Sequence, residues 1–491
     1  MSGGQTETQN LIAGQFEINA LVLINQFEEA VDLRSLCTNL RIFESIDSKF
    51  LTGDAVIIDG MDYLKNFRMT GQEFLRIAFK QKEGMNKSAE TQFSIDKTFR
   101  IHKVHNIQDS PEGLGIGYQL IFCDPREFYA KRTRISQVYR GSWSNILQNI
   151  LLNDASFKEE EFDHWEDTEY ENFQFISPNW TVNDIIDYIS AQGAPSDNTW
   201  GNEMFFFQTA HGKFQFKSFS EMCQSEFPVE FDNVPRTDYD PSIRDLNEKG
   251  GLNSEIKTFM REQQFDTLKL TETGGYASTM KVFDPMRKIQ YNQVFDLKKV
   301  YDKGHHVSGH PLSVLDQDEV WLTSDNLTGA TENITVTQYD VDSAPNKQDG
   351  SLIVHDIHTR HSFDNGRIDQ DEEWRGRQNL DAKRLGRNAL MQIIGQYRVT
   401  VQIPFRTDLS VGHVIILKQQ PKDIQGRQVS PDKLNDNRYI ITEIGYECSP
   451  VEEVGILNLS CVKESYAGII KDIPSPLLTA SGPEEGSAIR R

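Results

Sequence analysis

Apolar and polar residues alternate through most of the first quarter of the chain. Such alternation is typical of half-buried β-strands, and it predicts strands at residues 16–24, 36–46, 50–58, 71–81, 93–107 and 115–123. A Ser110-Pro111-Glu112-Gly113 turn separates the last two. The pattern therefore predicts an all-β domain over residues 15–125, preceded by a flexible arm at residues 1–14.

Apolar residues take up a helical spacing after residue 125. One helix face consists of Trp143, Ile146, Leu147, Ile150 and Leu151. Ser142 precedes this face as a predicted N-cap. A second helix is predicted to begin at Thr181, with Asp184 completing a capping box, and to end at Gly193.

A phenylalanine-rich hairpin follows, with strands at residues 203–209 and 213–219. Its expected single layer of side chains contains Phe205, Phe207, Phe214 and Phe216. The acidic stretch 158–171 is predicted to be a solvated loop, because runs of charge usually face water. Residues 126–230 together are predicted to form an α+β domain.

The chain returns to β patterning at residues 231–300, with strands predicted at 265–271, 280–285 and 289–297. We assign this range to the start of a second β-barrel domain, with a return to the α+β domain as the alternative. Residues 301–370 are polar and are predicted to be an insertion with long loops. Residues 466–491 are predicted to be a mobile tail.

The second β domain is predicted to continue over residues 371–465, beginning with a helix at 374–394 that stops at Gly395. A strand at 397–403 ends at Pro404. A tight turn at Gly412 then leads into a buried strand. We expect the helix to pack on the outside of its own barrel.

Two parts of the chain share one order of features: strand, loop, strand, Ser-Pro turn, strand. Residues 71–123 and 412–461 have this order, and Ile101 precedes Ser110 by as many residues as Ile440 precedes Ser449. The predicted fold class is therefore α+β and predominantly β, with two similar small β-barrel (tube) domains flanking the α+β domain. Three copies of such a chain would present six similar units around one axis.

Charge and cysteine content limit the partners and the compartment. Across 491 residues, Lys and Arg number 51 and Asp and Glu number 73, a net charge of −22. This balance disfavours tight binding of nucleic acid, which needs cationic side chains to displace counterions from the phosphates. DNA could still slide past such an acidic wall. Five cysteines without metal-ligand spacing predict reduced thiols. Neither a signal peptide nor an apolar run of membrane-spanning length is expected.

Candidate chemistry is sparse. No phosphate-binding loop, HExxH or GxSxG motif occurs, and we expect no catalytic, cofactor-binding or metal site. Two histidine groups in the insertion leave metal binding open: His305, His306 and His310, and His355, His358 and His361. The alternatives to a structural role are a tail-associated cell-wall hydrolase (glycosidase or peptidase) and a carbohydrate-binding tail protein that stacks sugars on Trp165, Trp200 or Trp321.

The order of the parts resembles the baseplate hub proteins of contractile-tailed bacteriophages, whose β-barrel tube domains are shared with type VI secretion spike proteins. Three pairs of segments carry the resemblance: residues 180–189 leading into the hairpin 203–219, Gly275-Tyr276 before residues 283–287, and helix 374–394 running into residues 397–417.

The resemblance implies a non-enzymatic virion protein of the tail baseplate, assembled in the host cytoplasm. It implies a homotrimeric ring that meets the six-fold tail tube or tube-initiator proteins on one face and the trimeric central spike on the other. Baseplate wedge proteins would surround the ring. DNA would pass through its channel without specific binding, and no cofactor or membrane insertion is implied.

Overall fold

A computed structural model gives the fold. It describes residues 13–61, 63–67, 69–81, 94–109, 115–169, 173–196, 201–232, 255–284, 289–308, 310–311, 336–338, 352–357, 371–418 and 438–466. Within these residues, no helix is both long enough and apolar enough to cross a membrane.

Strands dominate the described chain. They are β1 Phe16–Ile24, β2 Ala30–Asp32, β3 Cys37–Ser45, β4 Thr52–Asp59, β5 Phe74–Gln81, β6 Ser94–Asp109, β7 Ile116–Cys123, β8 Arg134–Ile135, β9 Val138–Gly141, β10 Phe162–Trp165, β11 Phe173–Ile176, β12 Trp180–Thr181, β13 Met204–Gln208, β14 Phe214–Ser218, β15 Glu226–Asp232, β16 Thr258–Gln263, β17 Ala277–Asp284, β18 Ile289–Asp296, β19 His310–Pro311, β20 Val336–Gln338, β21 Leu352–Ile357, β22 Tyr397–Pro404, β23 Val414–Lys418, β24 Arg438–Ser449, β25 Val454–Lys463 and β26 Ser465–Tyr466.

The helices are shorter, with one exception. They are α1 Tyr63–Asn66, α2 Pro125–Arg132, α3 Trp143–Asn149, α4 Val182–Gln192, α5 Phe219–Gln224, α6 Thr267–Thr273, α7 Leu297–Val300 and α8 Asp371–Ile394. A π-helical turn, Ile150–Asp154, continues α3. The predicted caps are confirmed, since Ser142 Oγ accepts from Asn145 N and Thr181 and Asp184 form a capping box.

One 13-stranded sheet contains the strands of both predicted barrel domains. Its first unit has the order β3-β4-β7-β6-β5-β1, with β2 beyond β1, and its second unit has the order β16-β22-β25-β24-β23-β15. Strands taken in chain order thus occupy the same places in both units. Pairing of β24 with β3 joins the units, so the described strands form a continuous path instead of two separate barrels.

The α+β domain has its own core between α3, α4 and the sheet β10-β14-β13. The expectation that four phenylalanines share a layer is wrong. Residues opposite each other in an antiparallel pair share a face, and Phe206 is opposite Phe216. Phe206 therefore packs with Phe214 and Phe216, whereas Phe205 and Phe207 lie in the main core.

The acidic stretch contains more order than a solvated loop. Residues 162–165 form β10, which pairs in parallel with β14. Glu166 also accepts hydrogen bonds from the backbone and side chain of Ser218, at 2.6 and 3.0 Å. Phe162 and Trp165 are apolar and pack against this core. Their burial favours an ordered strand over a solvated loop, despite the surrounding charge.

The predicted strand at 265–271 is wrong, because residues 267–273 form the helix α6. Leu268-Lys269-Leu270 alternates as a strand would. However, the Asp266 carboxylate accepts from Lys269 N at 3.0 Å, the bond that an N-cap makes to its first turn. Strand β16 lies earlier, at residues 258–263.

The long helix α8 ends at Ile394, directly before Gly395 as predicted, but its expected packing is wrong. Gly395 is not among the glycines with positive φ; instead, Gln396 donates to Gln392 O at 3.2 Å and to Ile393 O through its backbone. The helix also lies against α4, α6, α7 and the β17–β18 hairpin. It therefore fills the space between the α+β domain and the β17–β18 hairpin, and does not lie on the outside of its own barrel.

Gly412 forms the predicted turn, with φ of +80°. A Cβ there would lie 3.0 Å from Met222 Sδ. We expect Gly412→Val to lower the free energy of unfolding by about 1–3 kcal/mol and to reduce assembly. Chemical denaturation of the variant measures the effect. Gly71→Val is the control, because Gly71 has φ of +87° but open space around it; equal losses would show that crowding against Met222 is unimportant.

Candidate assembly interface

The junction of the two units is a strand pair in register. β24 runs antiparallel to β3 from Glu443 opposite Ser45 to Cys448 opposite Leu40. Leu40 is 0% exposed and Cys448 2% exposed. The inner face of the junction is therefore closed core, whereas Phe43 on its outer face stays 42% exposed. The paired edges satisfy each other's backbone groups.

Polar side chains form a hydrogen-bonded ladder across this junction. Asn39 Nδ2 on β3 donates to Glu447 Oε1 on β24 at 3.1 Å. Asn458 Nδ2 on β25 donates to Glu447 Oε2 at 3.3 Å, and Gln402 Nε2 on β22 donates to Asn458 Oδ1 at 3.1 Å. The ladder thus crosses four neighbouring strands.

A second ladder crosses the first unit. Arg41 Nε donates to Asp54 Oδ1 at 3.0 Å, Gln119 Nε2 donates to Asp54 Oδ2 at 2.7 Å, and Asn106 Nδ2 donates to Gln119 Oε1 at 3.0 Å. Within each ladder, the side chains hydrogen-bond to one another. This face of the sheet is therefore polar, but much of its hydrogen-bonding capacity is already used within the protein.

A concave region of about 490 Å³ lies over the junction, on strands β3, β24, β25, β22 and β16. Its charged lining residues include Glu262, Arg398 and Glu443. Thr400 Oγ1 donates to the Glu262 carboxylate. Among the lining residues there is neither histidine nor cysteine, so the region offers no histidine base or thiol nucleophile for covalent catalysis.

Beneath the junction lies Glu44, a carboxylate that is 1% exposed. Its Oε1 accepts from Val411 N at 2.9 Å, and its Oε2 accepts from Ala210 N at 3.1 Å and from Tyr446 Oη at 3.2 Å. Burial raises the pKa of Glu44 to about 7, although these three hydrogen bonds oppose the rise. Glu44 therefore connects both units and the α+β domain. Its carboxylate is too deeply buried for a substrate to reach.

A second buried polar cluster holds the base of the insertion. Glu464 Oε1 accepts from Val307 N at 2.7 Å and lies 3.5 Å from His306 Nδ1, while His306 Nε2 lies 2.7 Å from Tyr301 O. Burial acts to lower the pKa of His306, but the Glu464 carboxylate and the Tyr301 carbonyl raise it overall. A protonated His306 can donate to both neighbours.

We expect protonation of His306 to protect residues 307–308 against hydrogen exchange. Because the folded pKa is raised, the stabilisation is complete below the ordinary value of 6.5 and is lost as pH rises through the raised pKa. Hydrogen exchange at Val307 and Ser308, corrected for intrinsic rates, measures it. His306→Gln should lack this pH dependence; an unchanged profile in that variant would contradict the assignment.

Backbone register repeats between the units. Val414, Ile415 and Ile416 of β23 lie opposite Ile440, Tyr439 and Arg438 of β24. Subtracting 340 from every number gives Phe74, Leu75 and Arg76 opposite Arg100, Phe99 and Thr98, which is the observed β5–β6 register. Each unit also has a β-bulge one residue later, after Ile101 and after Ile441. Bulges mark particular places in a sheet, so the shared bulge indicates one architecture used twice.

The last strands of the two units differ in direction, since β1 runs antiparallel to β5 whereas β15 runs parallel to β23. The units also differ in whether one edge is paired. Beyond the bulge, β24 is covered by β3, and Ile444 and Tyr446 are each 1% exposed. Beyond its own bulge, β6 pairs only with β7 within the described chain, and Ile107 is 56% exposed. The last strand of the second unit, β16, pairs only with β22 among the described strands, and Met260 is 53% exposed. Among the described strands, β6 and β16 therefore have unpaired edges at the places where their equivalents, β24 and β3, pair with each other.

The sequence candidates that lie within the described residues do not come together as a site. Trp165 packs on Phe162, Phe206 and Phe216, which is a core role, whereas Trp200 and Trp321 lie outside the described residues. Of the histidines, His305 contributes its backbone N–H to Ser220 Oγ at 3.2 Å. The side chains of His310 and His355 are not described, and His358 and His361 lie outside. No cluster with metal-ligand composition occurs among the described residues, and the expectation that the insertion holds no metal site stays a prediction.

Comparisons with known proteins give structural neighbours alone. No family model and no curated protein matches the chain. The chain is similar to the 43 kDa tail protein of prophage MuSo2 from Shewanella oneidensis, with a TM-score of 0.47, 8% identity, and coverage of 91% of this chain and 98% of that one. A tail protein from Neisseria meningitidis MC58 has a TM-score of 0.45, 9% identity, and coverage of 92% and 97%.

A third neighbour is an Escherichia coli component of the type VI secretion system, described as similar to the T4 bacteriophage tail proteins gp27 and gp5. Its TM-score is 0.42 at 8% identity, with coverage of 93% of this chain and 79% of that one. The neighbours are tail proteins and a secretion-system component. They are the classes that the sequence resemblance indicated, whereas TM-scores below 0.5 assign no function to this chain.

Two functional features were not predicted from the sequence. Glu44 follows Leu40 and Ile42 at period two, which is a signal for a buried carboxylate in a strand. The open edges of β6 and β16 have no local signal, because which edge stays unpaired depends on contacts between distant parts of the chain.

Proposed function

We propose that this protein is a structural protein of a contractile phage tail: a homotrimeric baseplate hub with pseudo-six-fold symmetry. In this role it joins the hexameric tail tube to the trimeric central spike, and DNA passes through its channel. The observation that carries the proposal is the duplicated unit, with the same strand order, register and bulge in one continuous sheet. The names of the structural neighbours agree with it.

Duplication gives the protein the symmetry that such a joint needs. A trimer of a chain with two similar units has six similar units in a ring, so one face can match a six-fold partner while the whole matches a three-fold one. The two similar units would form the tube wall. The α+β domain and the insertion, which interrupt the repeat, would provide the three-fold features.

The electrostatics suit passive passage of DNA. The chain carries a net charge of −22, and on the polar face of the sheet Arg41 is paired with Asp54 at 2.9 Å. Tight DNA binding requires unpaired cations that displace counterions. We assign the ladder-bearing face to the channel wall for this reason.

Mass measurement by light scattering tests the proposal. We expect a stable trimer in solution, and a monomer at micromolar concentration would count against the hub. A peptidoglycan turbidity assay tests the hydrolase alternative. Clearing that is lost in Glu262→Gln or Glu443→Gln, but kept in Glu17→Gln, would favour an enzyme. We expect no clearing by any of these proteins.

A further inference from the structure

We propose that the open edge of β6 in one copy pairs antiparallel with the open edge of β16 in the next copy, with residues 105–109 opposite residues 259–263. This inference deepens the proposed hub function and rests on it, because it specifies the surface through which the copies meet. The internal β24–β3 junction supplies the template.

Strands that hold the same place in the two units are equivalent. β24 and β6 hold the same place in their units, as do β3 and β16. In the chain, β24 of the second unit pairs with β3 of the first. If the relation between units is repeated around a ring, β6 of a first unit must pair with β16 of a neighbouring second unit. Contacts between unlike surfaces close into rings when the rotation allows it.

The β6 residues are fixed through their partners on β7. Residues of β7 and β25 correspond with a difference of 339, so Gln119 corresponds to Asn458 and Gly117 to Ile456. His105 lies opposite Gln119, as Gly445 lies opposite Asn458. Gln108 lies opposite Gly117, as Glu447 lies opposite Ile456. His105 is therefore equivalent to Gly445, and Gln108 to Glu447.

The β16 residues are fixed in the same way, through β22 and β4. Thr400 and Arg398 lie opposite Ser460 and Val462 of β25, as Asp54 and Thr52 lie opposite Ile121 and Cys123 of β7. Thr400 therefore corresponds to Asp54, and Arg398 to Thr52. Met260 lies opposite Thr400, as Arg41 lies opposite Asp54. Gln263 lies opposite Arg398, as Phe43 lies opposite Thr52. Met260 is therefore equivalent to Arg41, and Gln263 to Phe43.

The template now gives the pairs. Gly445 lies opposite Phe43 and Glu447 opposite Arg41, so His105 should lie opposite Gln263, and Gln108 opposite Met260. One residue, Tyr446, separates the template pairs on β24, whereas two residues separate His105 from Gln108. β16 also has two residues between Met260 and Gln263, where β3 has one.

Each open strand has therefore gained one residue at the matching place. The two insertions offset each other, and residues 105–109 can face residues 263–259 without a break in register. A single insertion would shift every later side chain to the other face. Two independent insertions that keep the register are expected if these edges pair, and have no reason to coincide otherwise.

Side-chain chemistry agrees with burial in a contact. Ile107 is 56% exposed and Met260 53% exposed, and isolated edges of this kind are templates for another strand. Asp109 and Arg261 become diagonal neighbours in this register, and opposite charges at that spacing attract. The partner of β6 is a second copy of this chain, because its β16 edge carries the extra residue that offsets the extra residue in β6.

Disulfide trapping tests the pairing. Directly opposite residues lie within disulfide reach, whereas residues two positions off register are about 7–8 Å apart, beyond it. The double variant Gln108→Cys/Met260→Cys should form covalent dimers and trimers on non-reducing gels under mild oxidation. The matched control Gln108→Cys/Glu262→Cys should form at least roughly fivefold less.

The native protein gives a clean background. Cys37, Cys123, Cys223, Cys448 and Cys461 are all buried, and burial raises the pKa of each thiol, which makes them unreactive. Gln108 and Met260 are exposed, so both variants should fold; unchanged circular dichroism and melting check this.

The outcomes separate this inference from the hub function. A trimer by light scattering with no linkage above the control would overturn the pairing and leave the hub standing. A monomer in every variant would count against both. Dimers formed by the single variant Gln108→Cys would indicate a symmetric contact between two β6 edges and would also overturn the head-to-tail pairing.

Discussion

Replacing Arg406 with alanine is expected to lower the free energy of unfolding by about 3–5 kcal/mol. Arg406 is 0% exposed. Its Nε donates to Asp408 Oδ1 at 2.9 Å and its Nη2 donates to Asp408 Oδ2 at 2.6 Å. The guanidinium also lies 5.5 Å from the ring centroid of Phe231. Its loss would leave a largely buried carboxylate without its cationic partner and a cavity beside Phe231.

Chemical denaturation of the wild type and the variant measures this change. Arg406→Lys should lose part of the stability, because an ammonium cannot make the two parallel hydrogen bonds of a guanidinium. The double variant Arg406→Ala/Asp408→Ala should be less destabilised than the sum of the single variants, because the two residues act as a pair. Additive losses, or a loss below about 1 kcal/mol in Arg406→Ala, would contradict this role.

The junction carboxylate should make stability depend on pH. The folded pKa of Glu44 is about 7 against an ordinary 4.5, so the folded state holds this proton more tightly than the unfolded state. The stabilisation is complete below pH 4.5 and is lost as pH rises to about 7. We expect a fall of roughly 3 kcal/mol across that window.

The difference between the wild type and Glu44→Gln isolates this effect, because all other titrating groups are shared. The variant should lack the fall between pH 4.5 and 7. Glu17→Gln is the matched control, since Glu17 is an exposed strand glutamate paired with Lys80 at 3.2 Å, and it should keep the wild-type profile. A parallel profile for Glu44→Gln would show that the buried carboxylate does not titrate in this range.

Local patterns predicted much of the fold. Strands β1, β3, β4 and β5 lie close to their predicted bounds, because each buries alternate side chains on one face. α4 was predicted from its cap and its apolar face. Helix α6 was missed because Leu268-Lys269-Leu270 alternates over too few residues to tell a strand from a helix, and the capping Asp266 decided the outcome.

Pairing between distant strands could not be predicted. Cys448 meets Leu40 across more than 400 residues, and nothing local to either strand selects that partner. The similarity of residues 71–123 and 412–461 was visible in the sequence, but its register was not. The extra residue at Asn106-Ile107 shifts the offset between the units from 340 to 339, so an ungapped comparison misaligns one end of β6.

The candidate site was the harder part. Sequence motifs can identify catalytic chemistry, whereas an assembly surface consists of what the rest of the fold leaves uncovered. Ile107 and Met260 are ordinary apolar residues in their strands. They become informative only when the equivalent strands, β24 and β3, are seen to pair with each other.

An electron microscopy image average of the purified assembly, viewed along its axis, tests the central claim most directly. The duplicated unit predicts a ring of six similar densities around a channel. The α+β domains and the insertions should add features that repeat only three times around the ring. Particles without a ring, or a ring whose number of similar units is not twice its number of chains, would contradict it.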